Sequence, residues 1–420
     1  MFTLSLLYLA LTIVRPQDFL PALEGIPLLP VVLLLAFAAW MIRAGKNFDA
    51  PQFLLLPVFL LVGMVSMVAN HWFGGALALL ESFGPIVIAF FVFASACTTQ
   101  RRVTIAMAVF VLCACVLAQH SIVQANTGMG WTGVPLGEDG RVRYVGIFND
   151  PNDVGLLFAA TLPMAFFLSS GGGFLRRIWW LAAAGLLLYG IYLTNSRGAV
   201  LAVLVVGGIF VWRRRGMFTA GVLGVLGLLV MRLLSSRMQE LDPDESSAFG
   251  RVDAWYEGMH MFFSNPLLGV GPGNFTDYNQ LTAHNSWVLV LAETGFLGYT
   301  LWLAFTTYGF WMMMTVMRHQ PETAVESAQA GTWQGERAIA FTLLLSLYGL
   351  FSAAFFLSRS YTVVMYLLVA LVVGHYMGAR QRWPGVPLLR LTDHWMRWLA
   401  VSVATIVALY VITTILLIGS

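Results

Sequence analysis

The chain has 420 residues, of which 59% are hydrophobic and only 10% are charged. A soluble domain carries about 25% charged residues, so 23 basic and 20 acidic side chains are too few to cover a water-soluble protein of this size. Soluble enzymes, nucleic-acid-binding proteins and disulfide-rich extracellular modules are therefore excluded.

Repeated apolar runs separated by short polar or Gly/Pro-marked breaks predict a polytopic membrane protein with an all-α fold. Two of the runs are short for a hydrocarbon core of about 30 Å, so we expect about 12 transmembrane helices in a single transmembrane domain, residues 1–420. The candidate segments in chain order are 2–14, 27–42, 52–69, 74–97, 103–124, 152–170, 178–194, 198–212, 217–235, 284–316, 337–357, 361–379 and 396–418.

The first segment lacks a basic region before it and a small-residue cleavage site after it, so we interpret it as a retained helix, not a signal peptide. The three cysteines, Cys97, Cys113 and Cys115, lie in or beside apolar runs and form no CxxC motif. We interpret them as small hydrophobic residues without a disulfide or a metal site.

Charges in alternate loops predict the orientation. One set of loops holds 15 basic residues and five acids, whereas the opposite set holds eight basic residues and 13 acids. Because cytoplasmic loops carry the excess of Lys and Arg, we assign the first set to the cytoplasm and the second to the external, periplasmic side.

Two external loops are long, residues 125–151 and 236–283, and we expect function outside the membrane to concentrate there. Within the second, residues 251–263 place Val252, Trp255, Met259, Phe262 and Phe263 on one helical stripe. This pattern predicts an amphipathic helix that lies on the outer membrane interface.

Eight arginines fall on the external side, where the orientation rule disfavours them. Three lie near helix ends and are interpreted as snorkelling side chains: Arg15, Arg232 and Arg237. The other five are Arg141, Arg143, Arg197, Arg251 and Arg359. If they converge, they form a site for a polyanion such as a lipid diphosphate; the alternative is that each pairs with one of the external carboxylates.

His284 stands where the second long loop re-enters the membrane. On a continuous helix Gly295 would lie about 20° from His284 and Gly298 about 40° to the other side, which would allow a neighbouring helix to pack closely below the imidazole. A neutral imidazole held there is suited to take a proton from a sugar hydroxyl. A capping or interfacial role is the alternative.

Acidic residues offer further candidates. Glu81 and Glu293 lie inside apolar runs, where carboxylates are either functional or paired structural groups. The runs Asp150-Pro151-Asn152-Asp153 and Asp242-Pro243-Asp244-Glu245 suit either a divalent cation or ordinary turn and helix-cap chemistry. We assign no metal site.

Several blocks together resemble the bacterial O-antigen ligase and polymerase superfamily. His284-Asn285, nine residues, Gly295, two residues and Gly298 match the family's H-N-x9-G-x-x-G pattern. Further similar blocks are Arg143 to Phe148 with Pro151-Asn152, Ser196-Arg197-Gly198, Gly250-Arg251 with Trp255, and Asn265 to Gly271. The run Arg15-Pro16-Gln17-Asp18-Phe19 is similar to a subgroup of exosortase-associated O-glycosylation ligases.

The resemblance implies a GT-C-like, metal-independent inverting glycosyltransferase without a cofactor in the bacterial inner membrane. It implies an undecaprenyl-diphosphate-linked glycan as donor, lipid A-core as acceptor and a periplasmic active site. By the resemblance, His284 would be the base, Arg197 would be catalytic, and Arg141, Arg143, Arg251 and Arg359 would bind the diphosphate. Asn285, Gly295 and Gly298 would support the site.

Three alternatives remain at this point. An O-antigen polymerase or a protein O-oligosaccharyltransferase would share the donor and the chemistry but use another acceptor. A transporter or flippase of an anionic lipid or solute would carry paired charges near the bilayer midplane and broken helices in two halves. The external arginines and the lack of an evident repeat favour a ligase.

Overall fold

The computed structural model describes residues 1–137, 139–234, 246–320 and 330–418. These residues form α-helices, short 3₁₀ turns and loops, and their only β pairing is an isolated bridge between Met129 and Pro135. The helices are α1 (Phe2–Val14), α2 (Leu28–Met41), α3 (Gln52–Ala69), α4 (Phe73–Ala96), α5 (Gln100–Thr127), α6 (Pro151–Ser169), α7 (Phe174–Thr194), α8 (Arg197–Arg215), α9 (Met217–Leu234), α10 (Ser246–Ser264), α11 (Phe275–Tyr278), α12 (Ser286–Arg318), α13 (Ala330–Ala354), α14 (Val363–Arg382) and α15 (Trp395–Ile418).

The all-α polytopic prediction is confirmed. Each of the 13 predicted apolar segments corresponds to one helix of the structure. In the described part of the chain, nine helices are long and apolar enough to cross a membrane: α3 to α7 and α12 to α15. The helices α1 and α2 have 13 and 14 residues, which is short for a perpendicular span.

The centre of the bundle is formed by α6, α12 and α14, whose side chains are mostly buried. Helix α12 packs against α3 and α13, and α6 packs against α7 and α13. By contrast, α7 and α15 expose large apolar side chains such as Trp179 and Ile415. Exposed apolar surface of this extent is typical of a lipid-facing helix.

Side-chain contacts join distant loops at each end of the bundle. At the end of the bundle away from His284, Arg382 Nη1 donates to the Thr98 carbonyl at 2.7 Å, and Arg380 Nη1 lies 3.8 Å from an oxygen of Asp49. We call this the opposite end. At the other end, which we call the His284 end, Arg141 and Asn152 contact the turn at 194–196. At the same end Thr282 bonds to Ser358, and Arg359 forms an ion pair with Asp153.

The amphipathic helix predicted at 251–263 is α10. Trp255, Met259 and Phe262 are buried, while Asp253 and His260 are exposed. The helix packs against α12 and α15, so its apolar stripe faces protein. Phe263 departs from the predicted stripe: it is 55% exposed and contacts the ring of Tyr410 at 5.7 Å between centroids.

Candidate active site

His284 is held in an unusual backbone conformation directly before α12. Its φ is +47°, in the left-handed region that non-glycine residues seldom adopt. Asn285 is the N-cap of α12, and its Oδ1 accepts hydrogen bonds from the backbone N–H groups of Trp287 and Val288 at 2.9 and 3.2 Å. Because backbone strain of this kind concentrates at functional sites, the conformation itself marks His284 as a candidate.

The residues around His284 are bonded to the turn that precedes α14. Ser286 Oγ donates to the carbonyl of Leu357 at 2.6 Å and accepts from the backbone N–H of Arg359 at 3.0 Å. Ser360 Oγ donates to the Ser286 carbonyl at 2.8 Å. This hydrogen-bonded seam fixes His284 relative to Arg359.

Arg141 ties a second part of the site together. Its Nε donates to the carbonyl of Thr194 at 3.0 Å, and its Nη2 donates to Oδ1 of Asn152 at 2.8 Å. The same Asn152 oxygen accepts from Ser196 Oγ at 2.7 Å, and Ser196 is the N-cap of α8. Arg141 therefore joins the 125–151 loop to the α7–α8 turn.

The N-terminus of α6 supplies the acids of the site. Asp150 is the N-cap of α6 and accepts from the backbone N–H and the side-chain amide of Asn152 at 2.7 and 2.9 Å. Asp153, one turn later, forms an ion pair with the Nε of Arg359. Among the described residues, no group of three or more His, Cys, Asp or Glu side chains is arranged to hold a metal ion.

Arg197 and Arg251 differ from Arg141, Arg143 and Arg359 because neither donates a side-chain hydrogen bond or forms an ion pair within the described chain. Arg197 is the first residue of α8, and Arg251 lies in the second turn of α10. Burial and the charges of Arg141 and Arg197 lower the pKa of Arg251, and only Asp150 opposes them. The site thus holds two guanidiniums that have no anionic partner in the described protein.

The environment of His284 favours its neutral form. Partial burial, and then the positive charge of Arg251, lower its pKa from 6.5; Arg359 acts in the same direction, and Asp150 opposes them. The imidazole is therefore a free base near neutral pH. Arg251, Arg359 and Asp150 are therefore close enough to His284 to act on its charge.

A cavity of about 330 Å³ opens beside this cluster. Asp150, Asp153, Arg359 and Thr362 line it, together with residues of the 146–149 turn. Arg15 lies at its edge, because a side chain on Gly146 would meet the Arg15 guanidinium. Arg15 Nε forms an ion pair with Asp18 at 2.5 Å.

Two sequence candidates lie apart from this cluster. Arg143 Nε donates to the carbonyl of Pro135 at 3.1 Å, and no contact in the described chain joins Arg143 to the other four arginines. Glu81 is exposed on the surface of α4. Arg237 and the run 242–245 lie outside the described residues, as does the side chain of Arg232.

The predicted helical stripe through His284, Gly295 and Gly298 does not form, so that part of the sequence interpretation is wrong. His284 precedes the helix, and Gly295 breaks it with φ +60° and ψ −163°. Segment 266–271, not a helix, packs against the break. The N–H groups of Phe296 and Gly271 bond to the carbonyls of Pro266 and Glu293 at 2.8 and 2.9 Å.

Gly295 is required for this approach, since a Cβ there would lie about 2.5 Å from the backbone of residues 267–269. Gly298 instead faces the side chain of Thr294 in its own helix. Glu293 is fully buried beside the break, and its Oε1 accepts from the N–H of Phe275 at 3.4 Å. Glu293 therefore helps to hold the 266–275 segment against α12.

Sequence reasoning missed the contacts that position the site. Ser286 and Ser360 form the seam, and Asn152 connects Arg141 to Ser196. The polar break Ser358-Arg359-Ser360 was visible as a signal, but nothing in the sequence distinguished Ser286 from any other residue of the first helical turn. For Asp153 the sequence suggested only helix capping or cation binding, because its partner Arg359 lies 206 residues away.

Comparison with known proteins gives a match over part of the chain. Residues 182–303 match the family model described as O-antigen ligase. The match confirms the resemblance to the O-antigen ligase superfamily over these residues, which are less than a third of the chain. It includes Arg197, Arg251 and His284 and excludes Arg141, Arg143 and Arg359. No curated protein matches the chain.

Proposed function

We propose that this protein is an O-antigen ligase of the bacterial inner membrane. It transfers a glycan from undecaprenyl diphosphate to lipid A-core at the periplasmic face. The O-antigen ligase match at 182–303 supports the general reaction. The observation that carries the proposal is that Arg251 is close enough to act electrostatically on His284 and to be acted on by Arg197, while neither arginine has a partner in the described chain.

Charge supports the periplasmic assignment. In the sequence, the set of alternate loops that includes Asp49 and Arg382 carries 15 basic residues and five acids, the balance expected of cytoplasmic loops. The His284 end would then face the periplasm, where an undecaprenyl-linked glycan and the lipid A-core acceptor meet. Lipid tails would lie in the bilayer against the exposed apolar helices.

Arg197 and Arg251 are assigned as the residues that bind the diphosphate. Two neighbouring guanidiniums repel each other, and an anion between them removes that repulsion while it gains charge-assisted hydrogen bonds. Arg141 and Arg359 frame the site, because each is already bonded to protein oxygens. Arg143 is not assigned to the diphosphate, because no contact in the described chain joins it to Arg197 or Arg251.

His284 is assigned as the general base. Its neutral imidazole takes the proton of the acceptor hydroxyl as the hydroxyl oxygen attacks the anomeric carbon. The bond from that carbon to the diphosphate oxygen breaks, and undecaprenyl diphosphate leaves with the bonding electrons, with inversion at the carbon. Arg197 and Arg251 stabilise the charge that develops on the leaving group. No metal is needed in this proposal, because the guanidiniums supply the positive charge.

The test is reconstitution of the purified protein in vesicles with an undecaprenyl-diphosphate-linked glycan. Lipid A-core, free glycan and a protein acceptor are offered in parallel, and the labelled product is identified on each. We expect transfer to lipid A-core. Transfer only to free glycan would make the protein a polymerase, and transfer only to protein would make it a protein O-oligosaccharyltransferase.

Matched variants test the assigned residues. His284→Ala is compared with His260→Ala, whose imidazole is exposed on α10 and bonded to the Tyr256 carbonyl. Arg197→Ala is compared with Arg176→Ala at the opposite end. We expect His284→Ala and Arg197→Ala to lose transfer and both controls to retain it. Near wild-type transfer by either site variant would overturn that assignment.

One feature bears on the transporter alternative, namely the break in α12 at Gly295. Broken helices occur in transporters, where their free backbone groups line a substrate site. Here the backbone groups at the break are bonded to segment 266–271, so they are occupied by protein. A counterflow assay in the same vesicles distinguishes the two, and transport without glycan transfer would reverse our proposal.

A further inference from the structure

Glu293 is a buried carboxyl group that the proposed reaction does not use. Its residue is 2% exposed on α12, and no basic side chain of the described chain forms an ion pair with it. A buried carboxylate without a counter-ion is costly, so hydrogen bonds, not charge, explain how this group is accommodated. Its hydrogen-bond partners come from two segments that lead to the candidate active site.

The first partner is the segment that leads into His284. Oε1 of Glu293 accepts from the backbone N–H of Phe275 at 3.4 Å, and the N–H of Gly273 is a second donor to the same carboxyl group. Phe275 begins α11, and the chain runs from there to His284. Glu293 therefore fixes the point at which this segment leaves α12.

Phe275 also contacts α10, the helix that carries Arg251. Phe275 is 1% exposed. A Cβ on Gly258 of α10 would lie 3.1 Å from the Phe275 ring and 2.5 Å from Val288 of α12, so α10 packs there with no room for a side chain. Arg251 lies two turns before Gly258 on the same face of α10. The contact of Glu293 with Phe275 therefore bears on the position of Arg251 as well.

The second partner is Tyr361, in the turn that carries Arg359. The Tyr361 hydroxyl faces the Glu293 carboxyl group. The Tyr361 ring packs against Phe59 and Phe83 at 6.1 and 5.9 Å between centroids, which fixes the hydroxyl. Neither this hydroxyl nor Oε2 of Glu293 has a partner elsewhere in the described chain. Because unpaired buried polar atoms are costly, we expect these two to pair with each other.

We propose that Glu293 is a positioning residue for the proposed glycosyl transfer, on which this inference rests. Its hydrogen bond to Tyr361 holds the turn that carries Arg359, and its hydrogen bond to Phe275 holds the segment that ends at His284. The seam at Ser286 fixes the same turn at the first turn of α12, and Glu293 fixes it two turns further along the helix.

Two comparisons separate this role from general stability. Tyr361→Phe removes only a hydroxyl, and its control is Tyr376→Phe, whose hydroxyl donates to the Pro387 carbonyl at 2.6 Å at the opposite end. Glu293→Ala removes both hydrogen bonds of the carboxyl group. Glu293→Gln keeps an oxygen acceptor and a donor in nearly the same shape, so it should rescue the loss.

Two measurements are made on each variant. The first is kcat, and KM for donor and acceptor, in the vesicle assay. The second does not depend on transfer: modification of each histidine by diethyl pyrocarbonate in purified protein is followed by peptide mass spectrometry. The exposed His260 is the reference for the reagent, and the fully buried His120 reports any loss of the fold.

We expect Glu293→Ala to lower kcat about 100-fold with a smaller change in KM, because a small misplacement of a reacting group has an effect of this size. Tyr361→Phe should lower kcat about 3- to 10-fold, as for one lost hydrogen bond. In both variants His284 should be modified at least about threefold faster, as its segment opens locally, while His120 stays protected. Glu293→Gln and Tyr376→Phe should match wild type in both measurements.

Wild-type kcat in Glu293→Ala and Tyr361→Phe would overturn the positioning role, and so would unchanged His284 modification in both. Equal losses in Glu293→Gln and Glu293→Ala would overturn the role of hydrogen bonds, and an equal loss in Tyr376→Phe would reduce the effect to general stability.

If Glu293→Ala does not fold, the comparison of Tyr361→Phe with Tyr376→Phe decides the role. If wild-type protein transfers no glycan, the ligase proposal fails, but the rates of His284 modification in these two tyrosine variants still test the positioning of His284. Faster modification in Tyr361→Phe alone would support it, and equal rates would overturn it.

Discussion

Asp153 and Arg359 form an ion pair that connects the first turn of α6 to the turn before α14 across 206 residues of sequence. The Asp153 side chain is 6% exposed and that of Arg359 is 36% exposed. The backbone N–H of Arg359 also bonds to Ser286, two residues after His284. The pair therefore fixes the turn on which the position of His284 depends.

Arg359→Gln is expected to lower the free energy of unfolding by about 1.5–3 kcal/mol, the contribution of a hydrogen bond to a charged group. The reason is that the buried Asp153 carboxylate loses its only described partner. Denaturant unfolding of purified protein in detergent measures the change for Arg359→Gln, Asp153→Asn and the double variant. A coupling energy below about 0.5 kcal/mol in this cycle would contradict the structural role of the pair.

The five external arginines are expected to differ in their importance for transfer. Arg197→Ala and Arg251→Ala should each lower kcat/KM about 100- to 1,000-fold, the usual effect of removing one donor to a developing negative charge. Arg143→Ala should lower it less than about tenfold, because its guanidinium donates to Pro135. Initial rates of glycan transfer in vesicles measure the three effects.

Arg197→Lys serves as the control for charge, since it keeps the positive charge and loses the planar fork of donors. The kcat/KM of Arg197→Lys should lie between the values of wild type and Arg197→Ala. Equal losses for Arg143→Ala and Arg197→Ala would mean that all the arginines act only through their summed charge.

The helices and the two-sided arrangement of the loops were predictable from the sequence, because lipid imposes long apolar segments and a charge bias that both appear as local composition. The position of α10 was predictable for the same reason, since its apolar stripe is periodic. The proximity of Arg141, Arg197, Arg251 and His284 was predictable only through the family pattern, because no local signal brings residues of four different elements together.

The break at Gly295 was not predictable from helical periodicity, which assumes helical φ and ψ at every residue. The same assumption placed His284 on the helix, although Asn285 caps it. Nor did the sequence show which arginines are bonded to protein: Arg141 pairs with nearby Asp139, but its hydrogen-bond acceptors Asn152 and Thr194 are 11 and 53 residues away, and Asp153 is 206 residues from Arg359. Such pairs depend on tertiary packing alone.

Gly295→Ala is expected to destabilise the protein by at least about 2 kcal/mol. The residue has φ +60°, a conformation that costs a side chain about 1–3 kcal/mol, and the new Cβ would lie about 2.5 Å from the backbone of residues 267–269. Thermal unfolding followed by size-exclusion chromatography measures the loss. Gly207→Ala on α8 is the control, since nothing lies within 4 Å of its Cβ position, and alanine there should be neutral or stabilising. Equal stability of the two variants would contradict the close packing at the break.

The pH dependence of transfer is expected to report His284. The base must be neutral, so kcat/KM should be constant near neutral pH and fall as the pH drops through the pKa of His284, which burial and Arg251 hold below 6.5. Arg251→Gln removes a neighbouring positive charge, so the pKa rises and the fall begins at higher pH. Arg251→Lys keeps the positive charge, so the pH at which kcat/KM has fallen by half should stay the same even if the rate is lower. We call this pH the midpoint.

Asp150→Asn should move the midpoint the other way. The Asp150 carboxylate raises the pKa of His284, so its removal lowers that pKa and moves the fall to lower pH. Asparagine caps a helix as well as aspartate does, so α6 should keep its N-terminus. Profiles of kcat/KM between about pH 4 and 8, near the ordinary histidine pKa, measure the opposite shifts of Arg251→Gln and Asp150→Asn. Shifts in the same direction, or none in either variant, would show that another group is the base.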